Sequence, residues 1–345
     1  MMSMTEANAK PANLALQGGG AHGAFTWGVL DRLLETGALK IAGISGTSAG
    51  AMNAVVLADG FKKGGPDGAR ASLERFWRRM SEEARASLLQ PNPFDILLGR
   101  FNLDTSPTYV LFDVVSRFFS PYDINPRNHN PLRDVLCELV DFDAVRSCDA
   151  FDIFISATNV HTGKARVFRN HELSVDAVLA SACLPFLFQA VEIDGVPYWD
   201  GGYGGNPVLW PFFYAGGSAD IVLVQINPIE RAETPKSARE ILNRVNEITF
   251  NAALLREFRA IDFVGRLVEE GRLDGTRYRK MRIHRVDGAG AMADLDLNAS
   301  SKLNTSWAFL TTLKECGRTA ASSWIAETHD RLGKHSTIDL RVEYS

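Results

Sequence analysis

The first sixty residues carry the pattern that most narrows the fold. "NLALQ" (13–17) is a short apolar run that leads into "GGGAHG". "AFTWGVLDRLLETG" (24–37) follows, with Phe25, Val29, Leu30, Leu33 and Leu34 at helical spacing and Gly37 as a stop. "KIAGIS" (40–45) is a second short run, which leads into "GTSAG" and then the small-residue helix "AMNAVVLADG". Two successive strand–glycine turn–helix units predict a parallel sheet with helices on its faces. Parallel neighbours need a crossover, and a helix is the usual one.

Gly18, Gly20 and Gly23 form G-x-G-x-x-G, the spacing of a dinucleotide-binding turn. Such a turn wants an acid ~20 residues on, at the end of the second strand. Here that strand ends in Ile44-Ser45-Gly46, and Asp31 and Glu35 fall inside the predicted helix. No Gly-Lys-Ser/Thr follows the glycines, which excludes a phosphate-binding P-loop. Gly46-Thr47-Ser48-Ala49-Gly50 is G-x-S-x-G, the nucleophile elbow, although alone it also reads as a glycine-rich turn with an incidental serine. Both loops end strands of one parallel sheet, which puts them at one edge. The amides of Gly18, Gly19 and Gly20 then lie beside Ser48 at helix N-termini, where negative charge is favoured. Attack of a serine on an ester creates an oxyanion, and each preorganised N–H donor contributes roughly 3–4 kcal/mol to holding it. The loop is therefore expected to hold the transient charge of a reaction rather than a cofactor.

A serine triad would need a histidine. The candidates are His22, His129, His161, His171, His284, His329 and His335, of which only His22 falls near a motif. A different base is Asp200 in "YWDGGYGGNP" (198–207), which follows a predicted strand and precedes Gly201 and Gly202. A carboxylate bonded to Ser48 could take its proton and return it to the leaving alcohol, and burial would make it a better base. Asp-Gly is also a turn dipeptide, as Asp194-Gly195 is read in the hairpin at 190–200. The residues alone leave Asp200 open between base and turn.

Taken together, the three motifs resemble the patatin-like phospholipase family. They are Gly18–Gly23, Gly46–Gly50 and Asp200–Gly202, in that order. "ASACLPFLFQAVEIDG" (180–195) is similar to the segment before that family's Asp, and "SATNVHTGKARVF" to the strand pair before it. The resemblance spans about residues 12–230. It implies a three-layer α/β/α fold and hydrolysis of acyl esters in lipids, without metal or cofactor. It also implies a Ser–Asp dyad without histidine, so that Ser48 is the nucleophile, Asp200 the base, and the amides of Gly18, Gly19 and Gly20 the oxyanion hole. One position departs. The family's glycine loop usually carries Arg or Lys where this chain has His22, and a neutral imidazole is no permanent cation. Preference for anionic phospholipids is thereby in doubt, and neutral lipids or simple esters stay open.

Residues 61–150 are read as a helical insertion. It holds an amphipathic stretch, "SLERFWRRMSEEARASLL", and then proline and aromatic punctuation without catalytic spacing. Leu88, Leu89, Phe94, Leu97, Leu98, Phe101, Phe112, Phe118 and Phe119 either pack into the core or form a cap that touches lipid. Helical periodicity returns at 235–275 and 301–333, so residues 231–345 are expected to be a mainly helical extension packed on the same domain. The 345 residues have a net charge of −4 and no basic stripe with interleaved aromatics, which argues against nucleic acid. None of Cys137, Cys148, Cys183 and Cys316 forms C-x-x-C, and no apolar run reaches the ~18 residues of a membrane span. "MMSMTEANAKPAN" lacks the apolar core of a secretory signal, so a cytoplasmic chain is expected, with peripheral membrane contact open. Three other readings compete with the hydrolase: an ordinary α/β-hydrolase, an acyltransferase, and a lipid-binding protein that keeps the fold without turnover. Oligomeric state is not readable.

Overall fold

The structure, a computed structural model, describes residues 9–85, 101–215, 217–295 and 297–344. Eight strands form one mixed sheet: β1 (Lys10–Leu16), β2 (Leu39–Gly46), β3 (Asp152–Asn159), β4 (Ala165–Arg169), β5 (Val191–Ile193), β6 (Val196–Asp200), β7 (Asp220–Gln225) and β8 (Arg282–Asp287). Their order is β5-β6-β3-β2-β1-β7-β8, with β4 also paired to β3. The run from β3 through β2, β1 and β7 to β8 is parallel, and the hairpin of β5 and β6 is antiparallel. The longer helices are α1 (Gly23–Thr36), α2 (Ala49–Arg85), α3 (Pro107–Phe118), α4 (Pro131–Leu139), α5 (Val175–Ser181), α6 (Ala238–Glu269) and α7 (Trp307–Thr328).

Both faces of the sheet are covered, because alternate strand residues point to opposite sides. Leu14, Leu16, Val222 and Val224 pack with α1, α2 and α7 through Phe25, Trp27, Leu57, Phe76, Phe309 and Leu313. Ala15, Ile221 and Leu223 face the other way, onto Phe212 and onto Leu254 and Phe258 of α6. This is a three-layer α/β/α arrangement, as expected. α1 and α7 approach backbone to backbone: a Cβ on Gly28 would lie 1.9 Å from the Lys314 carbonyl oxygen, and one on Gly317 2.1 Å from that of Phe25. Asp31 and Glu35 are held in ion pairs. Arg70 of α2 donates to Asp31 at 2.9 Å and to Glu35 at 3.1 Å, and Arg318 of α7 also pairs with both.

Three elements differ from the sequence pattern. The run "SVDAVLASACLPFLF" (174–188), whose pattern predicts a helix ending near Pro185, is helical over Val175–Ser181, and the chain then turns so that Leu184 and Phe186–Phe188 reach the cavity described below. The small-residue helix and the amphipathic stretch join as α2, broken at Gly64 and Gly65, with φ +60° at Gly65. Most consequentially, the region after 231 contributes the edge strand β8 to the sheet. Of the expected cap, Leu88, Leu89, Phe94, Leu97 and Leu98 lie outside the described residues, as does the side chain of Phe112. Phe101 stacks on Phe309 at a centroid distance of 4.8 Å, whereas Phe118 and Phe119 are exposed. Among the described residues no helix is long and apolar enough to cross a membrane.

Candidate active site

Strand register brings the sequence motifs together. Leu16 stands opposite Gly46, so Gly18 and Ser48 emerge side by side, each two residues past that pair. A Cβ built on Gly18 would lie 2.7 Å from the Cβ of Ser48. Gly46 stands opposite Ile155 of β3, and Ala157, two residues further along, stands opposite Asp200. Asp200 is therefore level with Ser48 across the intervening strand. The site sits outside the carboxyl ends of the parallel strands, where open α/β sheets generally place ligands.

Ser48 has φ 54°, a strained left-handed conformation for a residue with a Cβ, on the turn into α2. Its N–H donates to Ser181 Oγ at 2.9 Å. Its hydroxyl neighbours the Asp200 carboxylate and favours its charged form. Asp200 is buried, and its Oδ1 also accepts the Gly202 N–H at 2.7 Å. Its backbone is anchored on both sides: N–H to the Cys183 carbonyl at 2.8 Å, and C=O from Thr158 Oγ1 at 2.8 Å. Burial pushes the Asp200 carboxyl up to about 7, against the opposing pulls of the Gly202 N–H, the Ser48 hydroxyl and the Lys302 charge.

The glycine loop is pinned from beneath. Gly20 has φ +58° and sits so close to the turn Ser300–Leu303 that a Cβ would meet the Lys302 carbonyl oxygen at 2.5 Å. Gly18 N–H donates to Asn206 Oδ1 at 2.6 Å. That donor is committed to the scaffold, so of the three amides read from the sequence only those of Gly19 and Gly20 remain as oxyanion candidates. Asn206 belongs to the segment after Asp200, which is stitched to the elbow as well, since Thr47 Oγ1 donates to the Gly205 carbonyl at 2.9 Å. Gln17 completes the floor by accepting the Ile226 and Asn227 N–H groups, each at 2.9 Å, while Asn227 Nδ2 donates to the Gly18 carbonyl at 2.8 Å.

The histidines do not converge on Ser48. His22 Nε2 lies 2.8 Å from Ser301 Oγ, and burial, with Lys302 second, holds its imidazole well below the usual range and hence neutral. His284 pairs with Asp220 at 2.9 Å, His329 contacts the Ala38 carbonyl at 3.0 Å, and His129, His161, His171 and His335 are exposed. Asn206, Asn227 and Lys302 went unread in the sequence because no local spacing marks them.

Above these groups lies a cavity of about 880 Å³, lined by the loop from Gly18 to His22, by Ser48 and Asp200, and by apolar side chains such as Met52, Trp77, Phe186, Leu242 and Met292. Among the described residues no cluster of His, Cys, Asp or Glu has the makings of a metal centre. A half-buried hydroxyl and a buried carboxylate stand at the floor of an apolar cavity, the parts that nucleophilic opening of an ester calls on.

The family model for patatin-like phospholipases matches residues 14–213. Among solved structures, the chain is 16% identical to VipD from Legionella pneumophila, with a TM-score of 0.36, covering 88% of this chain and 66% of that one, just under two thirds of its length. It is 15% identical to a chain in the complex of SpcU with ExoU from the type III secretion system of Pseudomonas aeruginosa, with a TM-score of 0.30, covering 97% of this chain and 77% of that one. The comparison with curated proteins found no match. The family match takes in the glycine loop, Ser48 and Asp200 and spans more than half of the chain, which belongs to the patatin-like phospholipase family.

Proposed function

We propose that the chain is a serine lipid acyl hydrolase that works through a Ser48–Asp200 dyad. The single observation that carries this reading is that strand register sets Ser48 level with the buried Asp200 carboxylate, both lining the floor of the apolar cavity. Asp200 takes the hydroxyl proton as Ser48 Oγ attacks the ester carbonyl. The Gly19 and Gly20 amides hold the oxyanion, and Asp200 returns the proton to the leaving alcohol. Water then enters and attacks the acyl-enzyme as it gives its proton to Asp200, and Asp200 passes that proton to Ser48 Oγ as the acid leaves. A carboxyl raised to about 7 suits both halves, because efficient proton transfer wants a group near the working pH.

A fluorophosphonate probe is expected to label Ser48, located by peptide mass spectrometry. Only the deprotonated Asp200 can accept the serine proton. The labelling rate therefore rises through one ionisation near pH 7 and levels off above it. Absence of label at Ser48, or a rate flat from pH 5 to pH 9, counts against the dyad.

The mouth of the cavity suits the surface of a lipid aggregate. Phe186 is 69% exposed and lines both this cavity and a neighbouring groove of about 670 Å³ that also carries Phe118 and Phe119. Across the mouth, Leu242 lines the cavity, and Ile241, Val245 and Ile248 of α6 are exposed with it. Contiguous exposed apolar side chains at a binding mouth mark an interaction surface. The wild-type protein is expected to float with phosphatidylcholine liposomes. The variant with Phe118, Phe119 and Phe186 changed to Ser should float several-fold less, and equal flotation would remove the membrane role of this rim.

A further inference from the structure

Lys302 has no part in the dyad, yet its ammonium is one side chain away from the glycine loop. The turn that carries it is packed against Gly20, and its neighbour Ser301 contacts His22 at 2.8 Å. Lys302 Nζ donates to Asn227 Oδ1 at 2.8 Å, and Asn227 Nδ2 donates to the Gly18 carbonyl at 2.8 Å. In a trans peptide the C=O and the following N–H point to opposite sides. Holding the Gly18 carbonyl toward Asn227 therefore turns the Gly19 N–H away from this buried network.

We propose that Lys302 is the positioning cation of the oxyanion loop: through Asn227 it fixes the Gly18–Gly19 peptide so that the Gly19 N–H stays aimed at the developing charge. This rests on the Ser48–Asp200 reading. A charge-assisted bond is stronger than a neutral one, and it polarises the Asn227 amide so that Nδ2 donates more strongly. His22, inside the loop, is neutral and supplies no positive charge there. Burial lowers the Lys302 ammonium from its usual range; of the groups facing it, Glu247 and Asp200 favour its charge, Arg231 opposes it, and His22 is itself lowered by it. Glu247 is itself held by Arg231 at 2.6 Å and by Arg244 at 3.2 Å. Those facing Asp200 are Lys302, Cys183 and Tyr203, and burial pushes both of the latter up to about 12. Lys302 is thus the positive charge that Asp200 feels directly.

The test uses the full chain with p-nitrophenyl butyrate. Lys302→Met is expected to lower kcat by about tenfold to a hundredfold, less than outright loss of an oxyanion donor, with KM moved by less than about twofold. It also shifts the acid limb of kcat/KM to higher pH, because the ammonium lowers the Asp200 carboxyl. Lys302→Arg recovers most of kcat. Lys302→Gln, which keeps a donor to Asn227 without the charge, falls between and carries the test should the Met variant not fold. Asn227→Ala loses as much as Lys302→Met, and the double variant loses no more than either, as two links of one chain should. An unchanged kcat, an unmoved acid limb, or losses that multiply in the double variant would overturn the proposal. Ser48→Ala is the control. An inert control beside a fully active Lys302→Met sinks the role of Lys302 alone, whereas an active control sinks the dyad beneath it.

Discussion

Changing Ser48 to Ala, or Asp200 to Asn, is expected to lower cleavage of p-nitrophenyl esters by about 10⁴-fold or more, with the far-ultraviolet circular dichroism unchanged. Ser48→Ala removes the nucleophile. Asp200→Asn keeps the shape that accepts the Gly202 N–H but cannot take a proton. Because the two act as a unit, the double variant should be no worse than either single one. Ser48→Gly adds a second readout. The serine sits at φ 54°, where a Cβ is strained and glycine is not. That variant should be as inactive as Ser48→Ala yet unfold at a higher urea concentration than Ser48→Ala does. More than a tenth of wild-type activity in any of these variants would reject the dyad.

The parts of this site that could be read from sequence are those in which backbone geometry dictates residue type. Gly18–Gly20 and Gly46–Gly50 announce tight turns after apolar runs, and the parallel register then leaves Ser48 little choice but to stand beside Gly18. Asp200 was half legible: its glycines mark a turn whatever its carboxylate does, and only the resemblance favoured a base. The supports were not legible. Asn206, Asn227 and Lys302 reach the loop through contacts distant in sequence, and a single amide or ammonium in a loop has no periodicity to betray it. The commitment of the Gly18 N–H to Asn206 is of the same kind, since three equal glycines in sequence become unequal only when a partner arrives. β8 was missed for a related reason. "RIHRVD" reads as polar because Arg282 and His284 are turned to a buried carboxylate on the next strand.

That carboxylate is Asp220, and its replacement by Ala is expected to cost about 3–5 kcal/mol of folding stability, the usual penalty for stranding one side of a buried ion pair. Asp220 opens β7, at the end of the sheet opposite Ser48, and is 2% exposed. It accepts from Arg282 at 2.9 and 2.6 Å, from His284 Nε2 at 2.9 Å and from the Gly333 N–H at 3.0 Å. The far nitrogen of His284 lies 3.2 Å from Thr337 Oγ1, so one carboxylate ties the edge strand and the chain near 333–337 to the sheet. An Asp–His pair at this place is structural. Burial raises the Asp220 carboxyl, but the bonds from His284, Arg282 and the Gly333 N–H outweigh it and hold the group well below the usual range. A carboxyl lower in the folded than in the unfolded chain contributes stability in full above its unfolded value, about pH 4, and loses it as pH falls through the folded one. Urea titrations should therefore separate wild type from Asp220→Ala most widely near neutral pH, and the gap should close as the solution is acidified below about pH 4. Ester cleavage by the folded fraction should be unchanged, because the cluster touches neither Ser48 nor the loop. A gap under about 1 kcal/mol at pH 7, or one that widens in acid, would mean that the ion pair does not hold β8 in place.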